Sequence, residues 1–214
     1  MTDSTILIVD DHPLVREGLS ARISRESDLQ VCGEAENVED ALALVDSLNP
    51  TLIIVDITLK HGSGLTLVKQ VAERKPQTKI LVLSAHEESL FAERVLRAGA
   101  NGYINKQEAQ EQIINAIRTI LSGERYLSSS MTNALVGQAI DGKPQARSIE
   151  NLSDRELEIF GLIGRGQSTR SIAKQLNLSI HTIETHRENI RAKLNLRNGS
   201  ELMQRAVQWV LESL

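Results

Sequence analysis

The stretch Ile6-Leu7-Ile8-Val9-Asp10-Asp11 decides the fold: four aliphatic residues in a row, then two acids. Four residues are too few for a helix, and a run without polar alternation has no wet face, so it reads as a strand covered on both sides. The same shape recurs in Leu52-Ile53-Ile54-Val55-Asp56 and Ile80-Leu81-Val82-Leu83-Ser84. Helical spacing fills the gaps, as in Ala41, Leu42, Val45, Leu48 and in Leu65, Val68, Val71, Ala72. Weaker strands are expected near 29–35 and 101–105. The expectation is an α/β domain: a five-stranded, doubly wound parallel sheet with helices on both faces.

After Gly123 the pattern changes. Ser128-Ser129-Ser130, a candidate short helix over 131–140 and Asp141-Gly142-Lys143-Pro144 form a polar, turn-rich connector,. The expected division is a first domain over 1–124, a linker over 125–150 and a second domain over 151–214. No strand pattern survives in the last part, which reads as all-α with four helices. Ser153 and Glu156 make a capping box for a helix over 154–164, in which hydroxyl and carboxylate each take an orphan backbone N–H. Ser168 caps a second helix ending near 176, Ser179 caps a third over 180–195, and a fourth runs from about 200 to 214.

A chain of 214 residues is long enough to bury a sizeable core without staples,. With 41% apolar and 24% charged residues it is an ordinary globular composition, which excludes disorder and fibre,. The single Cys32 permits no internal bridge,. No apolar run approaches the roughly 20 residues needed to span a bilayer, and the N-terminus lacks a basic leader, so no membrane partner and a cytoplasmic location are expected. Aromatic residues are only 2%, which argues against base-stacking platforms for single strands,. Residues 1–123 hold 12 Lys/Arg against 18 Asp/Glu, and residues 151–214 hold 9 against 7, so an acidic front is joined to a mildly basic back.

In a doubly wound sheet, function collects at the carboxyl ends of the strands. There the sequence puts Asp10 and Asp11 after the first strand, Asp56 after the third, Ser84 after the fourth and Lys106 just past the fifth. Clustered carboxylates repel one another unless a cation sits among them. A donor set of oxygens with no His or Cys ligand suits Mg²⁺ better than Zn²⁺. With Lys106 as a point charge and Ser84 as a hydroxyl, the chemistry implied is phosphoryl transfer onto a carboxylate.

The motifs Val9-Asp10-Asp11-His12-Pro13, Ile54-Val55-Asp56-Ile57, Leu83-Ser84-Ala85 and Gly102-Tyr103-Ile104-Asn105-Lys106 resemble, in order and spacing, those of a response-regulator receiver domain. The resemblance implies a flavodoxin-like fold over residues 4–123, with Asp56 as phosphoacceptor. It implies Mg²⁺ held by Asp10, Asp11, Asp56 and the Thr58 backbone carbonyl, Lys106 paired with the phosphoryl group, and Ser84 with Tyr103 as a switch pair. The sequence departs from the family at Leu59-Lys60-His61, where Met-Pro is usual, which loosens the loop carrying Thr58. His86, two residues past Ser84, reads as a solvated loop histidine near the pocket.

In the second domain, Asn177-Leu178-Ser179 separates two helices as a three-residue turn, and Ile172, Ala173, Leu176, Leu178, Ile183, Ile190 and Leu194 supply one inward face,. That is a helix-turn-helix arrangement. Leu152-Ser153-Asp154-Arg155-Glu156, Gly166, Ile172-Ala173, Thr182-Ile183, His186 and Lys193-Leu194 resemble the LuxR-type helix-turn-helix. Together with the receiver, this is similar to a NarL/FixJ-type response regulator. By that resemblance Glu184, Thr185 and Glu188, with His181 nearby, face bases, while His186 packs at the helix base. Thr182, Arg187, Arg191 and Lys193 are the candidates for phosphate contacts, with Arg170 and Lys174 in reserve. A surplus of two positive charges is too small for strong monomer binding, so a homodimer is expected. Val207, Trp209 and Val210 in the last helix are its candidate anchors, with ordinary core packing as the alternative for Trp209.

The function implied is a two-component transcription regulator, not a metabolic enzyme, in which a sensor histidine kinase phosphorylates Asp56 and thereby controls dimerisation and binding to double-stranded DNA through the major groove. Two other readings stand beside it. A haloacid-dehalogenase-type phosphatase wants a second Asp where Thr58 stands, and a DNA binder independent of phosphorylation would use its receiver only for protein contacts.

Overall fold

The three aliphatic runs form the middle of a parallel five-stranded sheet in the order β2-β1-β3-β4-β5, made of β1 (Ser4–Val9), β2 (Leu29–Ala35), β3 (Leu52–Asp56), β4 (Lys79–Ser84) and β5 (Gly102–Asn105). The structure is a computed structural model and describes residues 4–59, 63–84, 88–129, 131–133 and 149–212. Ile6, Leu7, Leu52, Ile53 and Leu81 are wholly buried, as runs without alternation require when helices cover both faces,. Those helices are α1 (Pro13–Ile23), α2 (Val38–Leu48), α3 (Gly64–Arg74), α4 (Glu88–Arg97) and α5 (Lys106–Leu121). Asn37 caps α2 by accepting the Asp40 N–H, and Asn105 caps α5 by accepting the Gln107 N–H,.

One glycine is essential to the carboxyl edge. A Cβ on Gly64 would stand 2.1 Å from the Asp56 carbonyl oxygen, so α3 starts where only glycine lets its backbone pass the peptide after Asp56,.

The chain divides into two compact units, Met1–Gly137 and Gln138–Leu214. The start of the expected linker belongs to the first: Tyr126 bridges to Gly102, its carbonyl accepts the Tyr103 N–H, and Met131 is buried. Residues 131–133 are helical, while the rest of the candidate helix over 131–140 and the Asp141–Pro144 turn lie outside the described residues, as do Lys60, His61 and His86.

The second unit contains α6 (Asp154–Gly164), α7 (Thr169–Gln175), α8 (Ile180–Leu194) and α9 (Gly199–Glu212). Ser153, Ser168 and Ser179 each accept the expected backbone N–H, and the Ser153/Glu156 capping box closes in both directions. Asn177 takes a left-handed φ of 52° in the turn between α7 and α8,. Phe160, Ile163, Ile172, Ile183, Ile190, Leu202 and Ala206 are buried between the helices.

Trp209 belongs to this core and not to a dimer surface. It is 4% exposed and tilts against Phe160 with ring centroids 5.5 Å apart, over a space left by Gly161. The reason is the contact between α6 and α9: two glycines on α6 draw the last helix in, and the largest side chain fills the gap. Val210 turns partly the same way, its Cγ2 lying 2.6 Å from where a Gly164 Cβ would stand. Val207 is half-buried and Leu211 is 64% exposed, so these two remain at the surface of α9. Among the described residues no helix is long and apolar enough to cross a membrane.

Gly164→Ala tests this packing. In an open helix the change stabilises by up to about 1 kcal/mol. Here the methyl would meet the Ala206 carbonyl oxygen at 2.3 Å, so urea unfolding is expected to show a loss of about 1–3 kcal/mol.

Candidate functional site

Parallel register delivers the polar groups to one rim. Val9 pairs with Val55, so Asp10 and Asp56 leave neighbouring strands side by side. Asp56 aligns with Leu83, which precedes Ser84, and Ser84 aligns with Asn105, which precedes Lys106. Asp10 and Asp56 are 1% exposed, and Asp11 and Ser84 are buried beside them. Tyr103, paired with Val82, is wholly buried on β5.

Burying carboxylates is costly unless something positive meets them. The Asn105 cap starts α5 at Lys106, whose Nζ lies 2.7 Å from Asp10 Oδ2 and 2.7 Å from Asp56 Oδ2. The other oxygen of Asp56 accepts the Thr58 N–H at 2.9 Å. Burial, with the Asp10 charge added, outweighs the Lys106 ammonium and the Thr58 N–H and pushes the Asp56 carboxyl up to about 6,. Burial works against the Lys106 charge as well, but Asp56 and Asp10 outweigh it and hold the ammonium above its ordinary pKa.

Two neighbours carried no sequence signal beyond their place in the motif. His12 Nδ1 stands 3.0 Å from Asp10 Oδ1 and 2.9 Å from Asp11 Oδ1, and the His12 N–H donates to Asp10 Oδ1 at 2.8 Å. Arg16 donates through Nη1 to the Asp10 carbonyl at 2.6 Å and reaches Glu34 through Nε at 3.3 Å, tying the ends of β1 and β2 together. Asp10, Asp11, His12 and Asp56 each offer a ligand atom within 4.8 Å of one another. A buried donor set dominated by carboxylate oxygen fits a hard divalent cation.

On α8, Ile183 and Ile190 point into the core, while His181, Glu184, Thr185 and Glu188 are exposed along the opposite face. Thr182, Arg187 and Arg191 are half-buried along the edges of that face, and Arg187 Nε lies 3.7 Å from Glu184 Oε2. Lys193, a candidate phosphate contact, is ion-paired within the second unit. Its Nζ lies 2.6 Å from Oε2 of Glu156, the same oxygen that accepts the Ser153 N–H in the capping box. Burial pushes the Glu156 carboxyl up, but the bonds from Lys193 and Ser153 prevail and hold it below the ordinary glutamate value. Position 193 falls on the side of α8 nearest the start of α6, where a buried acid attracts its ammonium more strongly than open solvent does.

An acidic pocket at the switch point of a five-stranded parallel sheet, followed by a helix-turn-helix unit, defines a signal-receiving regulator. Residues 6–118 match the response regulator receiver domain, and residues 150–206 match the bacterial regulatory proteins of the luxR family. The chain belongs to the response regulators that join these two domains, and its function is phosphorylation-controlled regulation of transcription. It is 36% identical over 209 residues to the oxygen regulatory protein NreC of Staphylococcus carnosus, covering 95% of this chain and 96% of that one. The RcsB response regulator of Salmonella typhimurium superposes with a TM-score of 0.78 at 25% identity, covering 98% of this chain and 99% of that one. RcsB of Salmonella enterica serovar Typhimurium bound to a promoter in the presence of phosphomimetic BeF3⁻ gives 0.73 at 26% identity, covering 97% and 100%. Receiver domains typically bind Mg²⁺ in such an acidic pocket.

Two measurements probe this electrostatics. A carboxyl whose pKa is raised on folding weakens the fold as it ionises, so between its unfolded value near 3.8 and about 6 stability falls with rising pH,. Asp56→Asn is expected to stabilise the metal-free protein by about 1–3 kcal/mol at pH 7, and the gain should vanish by pH 4 in chemical denaturation. Lys193→Met is expected to cost about 1.5–3 kcal/mol of stability of the second unit by leaving Glu156 unpaired. It should leave the salt slope of DNA binding unchanged, whereas Arg191→Ala should lower that slope by about 1.

Proposed function

We propose that Asp56 is the phosphoacceptor of this regulator and that a sensor histidine kinase is its donor. The observation that carries the reading is the single Lys106 ammonium held between the buried carboxylates of Asp10 and Asp56, 2.7 Å from each. One Asp56 oxygen attacks the phosphorus of the kinase's phosphohistidine, the P–N bond breaks, and the imidazole leaves with its electron pair. Lys106 then follows the charge from the Asp56 carboxylate to the new phosphoryl oxygens, and the Thr58 N–H keeps the remaining carboxyl oxygen in line. Asp10, Asp11 and Asp56, with the Thr58 carbonyl, would hold Mg²⁺, which when bound supplies positive charge against the phosphoryl oxygens. Ser84 and Tyr103 form the switch pair. Their burial on adjacent strands supports this, because a hydroxyl drawn toward the phosphoryl group changes the packing in front of the ring.

Phosphorylation controls output only if the two states differ in their contacts. We assign residues 1–124 to reception and 151–214 to DNA binding, with 125–150 connecting them. The readout is a homodimer on double-stranded DNA, with α8 in the major groove. His181, Glu184, Thr185 and Glu188 face the bases, and Thr182, Arg187 and Arg191 hold phosphates. Val207, with Leu211, supplies the partner contact on α9. The promoter-bound relative supports double-stranded DNA as the partner, and the cytoplasm, where operator DNA resides, is the place of action.

Labelled acetyl phosphate with Mg²⁺ tests the assignment. A stable label on the wild type, none on Asp56→Asn and at least tenfold tighter operator binding after labelling are expected. Rapid turnover would indicate a phosphohydrolase. DNA affinity unchanged after stoichiometric labelling would mark a binder independent of phosphorylation.

A further inference from the structure

Opposite Ile183 and Ile190, the centre of the outward face of α8 is His181, Thr185, Glu188 and Ala192, spaced i, i+4, i+7 and i+11 and all exposed,. No lysine or arginine stands in this stripe. Arg187 and Arg191 lie at its edge, half-buried, and Glu184 lies beside Arg187. The Thr185 hydroxyl donates to the His181 carbonyl at 3.1 Å, which leaves its methyl as the group it offers outward. Glu188 makes no side-chain hydrogen bond or ion pair among the described residues.

We propose that Glu188 is the specificity-determining residue of α8 and accepts a hydrogen bond from the N4 amino group of a cytosine in the major groove. The inference rests on the reading of α8 as the groove helix and adds which base that helix selects. A carboxylate is an acceptor only. Guanine shows it N7 and O6, both acceptors, and thymine shows it O4. Adenine offers N6–H but sets the N7 acceptor beside it. Cytosine alone presents a donor without an adjacent acceptor. Glu188 therefore selects as much by rejection as by attraction, since a guanine opposite it leaves a desolvated charge without a partner. Its place on the outward stripe sets the carboxylate away from the half-buried edge, where Arg187 and Arg191 lie. Arg and Lys, the usual bidentate readers of guanine, are absent from the stripe,.

The test selects sequences from randomised duplexes with the full chain, phosphorylated and unphosphorylated, as wild type and as Glu188→Gln. The wild type is expected to fix cytosine at one position of each half-site with roughly tenfold or greater discrimination, and Glu188→Gln to move that position to adenine. In the selected duplex, N4-methylcytosine, whose methyl replaces the hydrogen facing the groove, should weaken wild-type binding about tenfold and leave Glu188→Ala indifferent. 7-Deazaguanine on the opposite strand should be tolerated by both. Identical selected sequences from wild type and Glu188→Gln, or full tolerance of N4-methylcytosine, overturn the proposal while leaving the groove reading intact. A wild type that binds all duplexes equally overturns the groove reading and this proposal with it.

Discussion

One ammonium group holds this receiver together at its working edge. Asp10, Asp11 and Asp56 are buried acids on a hydrophobic sheet, and Lys106 reaches two of them at 2.7 Å. Three carboxylates against one lysine leave the pocket short of positive charge, which is why burial still raises the Asp56 carboxyl to about 6 despite the contact,. The shortage is chemically useful: such a pocket attracts a divalent cation and then a phosphoryl group, and the lysine needs only a small shift to serve the product instead of the free acid.

Backbone register and a few local side-chain bonds place this lysine. Parallel register sets Asp10 beside Asp56 and carries Ser84 and Asn105 to the same edge. Asn105 caps α5 so that Lys106 is its first residue. Arg16 holds the Asp10 carbonyl from α1, and Gly64 lets α3 press against the Asp56 peptide. The second unit uses the same devices for another end. Serine caps start three helices, and Gly161 and Gly164 let α9 close on α6, leaving α8 with one face in the core and one outside.

The sheet and the pocket were legible because their signals are local. A run such as Leu52–Val55 has only one stable environment, and the residue after it must stand at the strand end. The serine caps and the three-residue turn at Asn177 were legible for the same reason. What escaped depends on distance in three dimensions. Trp209 has the composition of an interface anchor, and only Gly161 and Phe160 facing it on α6 show that it is core. Lys193 has the charge of a phosphate contact, and only the buried Glu156, 37 residues earlier in the chain, shows where its ammonium goes. His12 sits before Pro13 as an ordinary N-cap, and nothing in its spacing reveals that its ring turns onto two carboxylates.

In the working receiver the clustered acids trap a cation, and Asp56 takes the phosphoryl group while Lys106 changes partner. A crystal structure with magnesium and beryllofluoride addresses it directly. Beryllium is expected joined to an Asp56 oxygen, the metal against Asp10 and Asp11, and Lys106 Nζ moved onto a fluoride. An empty rim, with Lys106 still bridging Asp10 and Asp56, would contradict it.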